Sequence, residues 1–106
     1  MRKYKLYVVD LDGVLYRGEE VIPGAVEAVS RIRERAEIRF LTNNSTLARS
    51  DFADKLLRLG FNANPAEIYT SAFGAAIIVR DSSGYVVGEE GVRAELNMGG
   101  FTEREE

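Results

Sequence analysis

Tyr4-Lys5-Leu6-Tyr7-Val8-Val9-Asp10-Leu11-Asp12-Gly13-Val14-Leu15-Tyr16 is the stretch from which the fold of this chain is read. Leu6 to Val9 are apolar without alternation, as expected for a strand buried on both faces in a parallel sheet covered by helices. The run then stops at two carboxylates and a glycine. In open α/β sheets the carboxyl end of a strand is where ligands are held, so Asp10 and Asp12 stand where chemistry belongs. If the chain is still extended there, residues two apart face the same way and the two carboxylates share one pocket. Gly13 allows a sharp turn or a close approach to an anion. The plainer alternative is that Asp12-Gly13 is only the turn that ends a strand.

Strand and helix signals alternate along the rest of the chain. Pro23-Gly24 opens a helix over about Ala25 to Arg35, with Ala25, Val29, Ile32 and Ala36 forming one apolar stripe. A second strand follows over Glu37 to Leu41 and ends in Thr42-Asn43-Asn44-Ser45-Thr46. The next helix spans about Leu47 to Leu59, with Thr46 or Ser45 as its N-cap and Gly60 as its terminating glycine. Asn64-Pro65 has the form of a cap followed by proline in the first turn. Ile68 to Ser71 reads as a short strand, Ala72 to Arg80 as a helix, Asp81 to Gly84 as a turn and Tyr85 to Gly88 as a fourth strand. A short helix is expected over 91–98, then a frayed polar end over 102–106. This alternation predicts an α/β fold with a parallel sheet flanked by helices, in one domain spanning residues 1–106.

Composition limits the chemistry. With 106 residues, 45% hydrophobic, 29% charged and a net charge of −3, the chain reads as an ordinary water-soluble domain with no nucleic-acid footprint. Arg31, Arg33 and Arg35 alternate with Glu27, Glu34 and Glu37, the pattern of a solvated helix face. No apolar stretch is long enough for a membrane span, and Met1-Arg2-Lys3 leads straight into the first strand, so a cytoplasmic location is expected. Cysteine and histidine are both absent. That removes disulfides, thiolate metal sites, cysteine nucleophiles and serine-histidine triads, and leaves carboxylates, lysine or tyrosine for acid-base work. Two carboxylates at a strand end can act as a nucleophile or as ligands of a hard cation, for which Mg²⁺ fits and also offsets their mutual repulsion. A calcium loop does not fit, because the sixth and twelfth positions counted from Asp10 are Leu15 and Val21. Thr42, Asn43 and Asn44 add a hydroxyl and two amides just before a helix N-terminus, neutral donors suited to a phosphate.

Asp10-Leu11-Asp12-Gly13-Val14-Leu15-Tyr16, completed by Gly18, resembles motif I of the haloacid dehalogenase-like (HAD) hydrolases, most of which are phosphatases. The form Asp-x-Asp-Gly-Val-Leu-Tyr-x-Gly is similar to that of subfamily IIA, the p-nitrophenylphosphatase-like and NagD-like enzymes. Thr42 resembles motif II, and Asn43-Asn44 resembles the IIA branch more closely. The resemblance implies a partial Rossmann-like HAD-type core without its cap and its C-terminal core strands. It implies a Mg²⁺-dependent hydrolase of small phosphorylated metabolites that works through an aspartyl-phosphate. Asp10 is then the nucleophile and Asp12 the general acid and base. Mg²⁺ is held by the Asp10 side chain and the Asp12 carbonyl. Thr42, Asn43, Asn44 and the amides near Asp12 and Gly13 hold the phosphoryl oxygens.

The family's motif III lysine and motif IV carboxylates have no counterpart, since Lys3, Lys5 and Lys55 lie in other contexts. The isolated chain is therefore expected to be inactive or nearly so. The resemblance also implies that later strands cover the outer side of the first one. Tyr4 to Asp10 is then expected to present an unpaired edge, open to a complementing chain or to self-association. A non-catalytic module that binds a phosphorylated ligand is the alternative reading.

Overall fold

In the computed structural model the residues described are 5–44, 46–71, 74, 83–88 and 102–103. Five strands form one parallel sheet: β1 (Lys5–Asp10), β4 (Ala36–Leu41), β5 (Ile68–Tyr69), β6 (Ser83–Val87) and β7 (Thr102–Glu103), in the order β5-β4-β1-β6-β7. A separate antiparallel hairpin, β2 (Tyr16–Arg17) and β3 (Glu20–Val21), follows the first strand. Among the described residues the helices are α1 (Ala25–Arg33) and α2 (Arg49–Arg58), with one 3₁₀ turn at Pro65–Glu67 and a helical Gly74.

The apolar run of β1 lies at the centre of the sheet. Tyr7, Val8 and Val9 are buried, and β1 pairs with β4 on one side, from Lys5 opposite Ala36 to Asp10 opposite Leu41. Its other side pairs with β6, Tyr7 opposite Tyr85 and Val9 opposite Val87. The edge of β1 that was expected to be unpaired over Tyr4 to Asp10 is therefore covered by β6 from Tyr7 to Val9, and over those residues that ground for a complementing chain or self-association falls away. The segment around Tyr85 supplies the missing neighbour because Gly84 lets the two backbones meet. A Cβ at Gly84 would fall on the Leu6 carbonyl oxygen and lie 3.0 Å from the Leu6 Cβ. Tyr7 and Tyr85 add a ring contact across the pair, with centroids 4.8 Å apart.

Alternation along β1 sorts its side chains between two faces. Tyr7, Val9 and Leu11 join Ile38 and Phe40 of β4 in a core with Ala25 and Val29 of α1 and Phe52, Ala53 and Leu56 of α2. Both helices thus cover one face, as right-handed crossovers running in the same direction along a sheet require. Phe40, Phe61, Leu11, Ile38 and Leu56 are among the side chains fully removed from water, each contributing roughly 1.5–3 kcal/mol by burial. Arg33 ties α1 to the 3₁₀ turn. Its Nε donates to the Asn62 carbonyl at 2.8 Å, and its two Nη atoms hold the Glu67 carboxylate, one of them at 2.9 Å.

Several boundaries differ from expectation. The helix after Pro23-Gly24 ends at Arg33, and Ala36 belongs to β4. The second helix starts at Arg49, not at Leu47, and Thr46 does not cap it. Both the N–H and the hydroxyl of Thr46 are spent on Asn44 Oδ1, at 2.9 and 2.5 Å, in a tight turn that delays the helix. Asp51 instead reaches back to the Ala48 N–H at 3.1 Å. Asn64 caps the 3₁₀ turn as expected, accepting from the Ala66 N–H at 2.9 Å.

Ser83 and Gly84, expected in a turn, lie in β6, and Thr102–Glu103, expected to fray, pairs with them. Glu19 to Ile22, expected only as a short connection, instead contributes β3 to a hairpin with Tyr16–Arg17, because Gly18 takes the positive φ (59°) that a two-residue turn requires. The helices expected over 72–80, apart from Gly74, and over 91–98 lie outside the described residues, as does Ser45.

Candidate active site

Sheet topology decides where the two motifs meet. The chain runs from β1 to β4 and β5 on one side, then returns to place β6 on the other, so the strand order reverses at β1. A crevice opens at such a reversal, outside the carboxyl ends of the strands. Asp10 ends β1 in that position and is buried, at 8% exposure. It lies opposite Leu41, the residue before Thr42, so the ends of the two motif strands stand side by side.

On the other flank, Gly88 follows Val87, which is opposite Val9. A Cβ at Gly88 would come within 2.9 Å of the Asp10 Cβ and 3.5 Å of Asp10 Oδ2. The absence of a side chain there is what leaves the Asp10 carboxylate its room. Sequence reading placed Gly88 only as the end of a strand. The signal was available in a glycine closing the apolar run Tyr85-Val86-Val87.

Beyond Asp10 the ladder continues for one more bond, from the Leu11 N–H to the Leu41 carbonyl at 2.9 Å. The chain then turns. The Val14 and Leu15 N–H groups both donate to the Leu11 carbonyl, and Gly13 takes a φ of 83°, which side chains other than glycine seldom tolerate. The expected donor at Gly13 is already used, since its N–H bonds to the Tyr16 carbonyl at 2.8 Å. Gly13 shapes the loop, and Asp12 stands exposed at its start.

Both carboxylates act on one group, the Tyr16 phenol. Burial pushes Tyr16 up to about 12, and the charges of Asp12, Asp10 and Glu19 add to the rise. Tyr16 thus stays a neutral hydroxyl in the field of both aspartates. Lys55 Nζ lies 4.2 Å from the Tyr16 ring centroid and 3.8 Å from Glu19 Oε2. Sequence context left Lys55 out of any motif; the fold brings it behind the first-motif loop. Glu19 also pairs with Arg58, which ties the hairpin turn to α2.

In the second motif Thr42 is 4% exposed, whereas Asn43 and Asn44 are exposed. The Thr42 N–H donates to the Tyr69 carbonyl at 3.0 Å, so β5 holds its backbone. Thr42 Oγ1 accepts the Asn44 N–H at 3.1 Å. A hydroxyl that accepts from the backbone still has its own proton to give, and no acceptor for it stands among the described residues, so it can be turned toward an anion. The Asn44 side chain is committed through Oδ1 to Thr46, so it builds the loop. Asn43 keeps an exposed amide in the same loop.

A family model described as haloacid dehalogenase-like hydrolase matches residues 7–102. The chain belongs to the haloacid dehalogenase-like hydrolases. It is 37% identical over 102 residues to phosphoglycolate phosphatase 1A, chloroplastic, of Arabidopsis thaliana, covering 90% of this chain and 28% of that protein. Among solved structures it is similar to NagD from E. coli K-12, with a TM-score of 0.62, 30% identity, and 97% and 43% of the two chains covered. It also matches glycerol phosphate phosphatase Rv1692 from Mycobacterium tuberculosis in complex with magnesium, with a TM-score of 0.60, 28% identity, and 95% and 32% covered.

The likeness to NagD bears out the IIA branch read from Asp-x-Asp-Gly-Val-Leu-Tyr-x-Gly, and the Arabidopsis and Mycobacterium relatives are phosphatases by name. The chain spans less than half the length of each of these relatives. Among the described residues no helix is long and apolar enough to cross a membrane.

Proposed function

We propose that residues 1–106 carry the nucleophile side of a phosphomonoesterase site that acts on small phosphorylated metabolites through an aspartyl-phosphate. The observation that carries this reading is the pairing of a buried Asp10 carboxylate, given room by Gly88, with the Thr42 hydroxyl on the neighbouring strand end. An Asp10 carboxylate oxygen attacks phosphorus as the bond from phosphorus to the ester oxygen breaks. Asp12, in its protonated form, gives its proton to the leaving oxygen. Water then attacks phosphorus, Asp12 takes a proton from it, and the bond to Asp10 breaks to release inorganic phosphate. Thr42 and Asn43 hold the phosphoryl oxygens by donating to them, and Asn44 keeps the Thr42 loop in shape.

Asp10 and Asp12 offer hard oxygen donors, as Mg²⁺ requires, and the described residues contain no cluster of three or more acidic or imidazole ligands. That donor set fits an ion that keeps several waters and shares the phosphate with one or two carboxylates. The Asp10 side chain and the Asp12 carbonyl would hold it, and it would neutralise charge between the carboxylate and the phosphoryl oxygens. Magnesium in the Rv1692 relative supports this assignment. Steady turnover by these residues alone is expected to be weak, because no lysine of the motif III kind stands among them. A cytoplasmic site of action belongs to the same proposal.

The test is a phosphoryl trap. The chain is incubated with Mg²⁺ and p-nitrophenyl phosphate, quenched in acid and weighed intact. A gain of one phosphoryl group that maps to Asp10 and disappears in Asp10→Asn is expected. Phosphorylation elsewhere, or hydrolysis undiminished in Asp10→Asn, would overturn the proposal.

A further inference from the structure

Thr42 is held in place by a strand of only two residues at the edge of the sheet, Ile68–Tyr69. Such a strand has few ladder bonds of its own. Successive carbonyls along a strand point to opposite sides. The Tyr69 carbonyl faces inward and accepts the Thr42 N–H at 3.0 Å. The Ile68 carbonyl therefore faces out, where no further strand lies among the described residues. Arg49, the first residue of α2, takes that place. Its Nε donates to the Ile68 carbonyl at 2.8 Å, and its guanidinium carbon lies 5.3 Å from the centroid of the Tyr69 ring.

We propose that Arg49 is a positioning residue for Thr42, clamping β5 from outside so that the Tyr69 carbonyl holds the motif II threonine at the end of β4. This rests on the reading of Thr42 as a phosphoryl-binding hydroxyl. Arg49 acts through two backbone bonds and does not touch the phosphate. The planar guanidinium suits this task because one edge can donate while its face lies on an aromatic ring, a combination that an ammonium does not reproduce.

The test compares the chain with Arg49→Gln and Arg49→Lys. One arm follows amide hydrogen exchange at Thr42 against Val9 in the centre of β1. The other titrates inorganic phosphate in the presence of Mg²⁺, following the Thr42 and Asn43 amide shifts. In Arg49→Gln the Thr42 amide should exchange about tenfold faster relative to Val9, the scale of losing one charged hydrogen bond. Its phosphate affinity should fall by a similar factor, with both effects partly restored in Arg49→Lys. If Arg49→Gln does not fold, Arg49→Lys carries the same comparison with smaller changes.

Equal acceleration at Thr42 and Val9 would overturn the proposal, because Arg49 would then be a general stabiliser. So would weakened phosphate binding with Thr42 exchange unchanged, because Arg49 would then contact the anion itself. If the unaltered chain takes up no phosphate, the phosphatase reading fails on its own terms, and the exchange ratio still decides the role of Arg49.

Discussion

Replacing Gly88 with alanine places one methyl group against the Asp10 side chain and tests whether the crevice is as tight as its geometry states. The new Cβ would lie 2.9 Å from the Asp10 Cβ, where carbon atoms in contact settle at about 3.5–4.0 Å. The two must therefore part by roughly 0.6 Å or more, by movement of Asp10 or by separation of β1 from β6. Overpacking of this kind costs about 1–3 kcal/mol. The narrower unfolded ensemble of alanine returns about 0.4–1 kcal/mol, because no left-handed backbone opposes the change at Gly88.

A net destabilisation of about 1–2 kcal/mol follows from those two terms. In urea this lowers the unfolding midpoint by about 1 M with an unchanged slope. The functional loss should be larger than the loss of stability suggests. A displacement approaching 1 Å at a reacting group costs up to about a hundredfold in rate, so phosphorylation of Asp10 should slow by roughly tenfold to a hundredfold.

Gly84→Ala separates the two effects. Its Cβ meets the rigid Leu6 backbone, so it should destabilise by about 3 kcal/mol or more by parting the strands, without pressing on Asp10 first. A Gly88→Ala chain as stable as the original, with Asp10 phosphorylated at the same rate, would refute the reasoning and show slack beside the carboxylate.

Thr42→Val keeps the shape of the side chain but leaves the Asn44 N–H without its acceptor, and Asn44 is exposed enough for water to replace it. Calorimetry should show a modest loss of about 1 kcal/mol together with loss of phosphate binding, whereas Thr42→Ser should keep that binding. The acid limb of stability should report Glu67. Burial works to raise its carboxyl, but the Arg33 hydrogen bond, the Asn64 N–H and the charges of Arg33 and Arg39 outweigh it and hold the group below its usual range. A lowered folded value means that the stabilisation is full above the unfolded value of 4.5 and is lost as pH falls through the folded one. Urea midpoints measured from pH 6 down to about 2 should therefore fall less steeply for Glu67→Gln than for the unaltered chain.

Sequence alone determined where the two carboxylates of the first motif stand. An uninterrupted apolar run ending in Asp10-Leu11-Asp12-Gly13 requires a buried strand with carboxylates at its end, because burial without alternation and charge at the terminus have few other solutions. The lack of histidine and cysteine then leaves only carboxylates, lysine or tyrosine for acid-base work by these residues. Asn64-Pro65 and Gly60 were legible for the same local reason, since their capping and turning preferences are properties of single residues.

Tertiary structure decided what depends on distant neighbours. Nothing local in Tyr85-Val86-Val87-Gly88 states that it lies beside β1, and that placement covered the expected open edge and gave Gly88 its role next to Asp10. The β2–β3 hairpin is too short for any period to show in its sequence, and it formed around the φ of Gly18. Lys55 and Arg49 belong to no motif, and motif I does not state what the Tyr16 ring will meet. Each acquired its place because side chains on α2 and on the first-motif loop reach across the fold to a ring or a carbonyl far away in the chain. Residue pattern specifies which groups a strand end presents, whereas the packing of strands and helices specifies which other groups stand close enough to act on them.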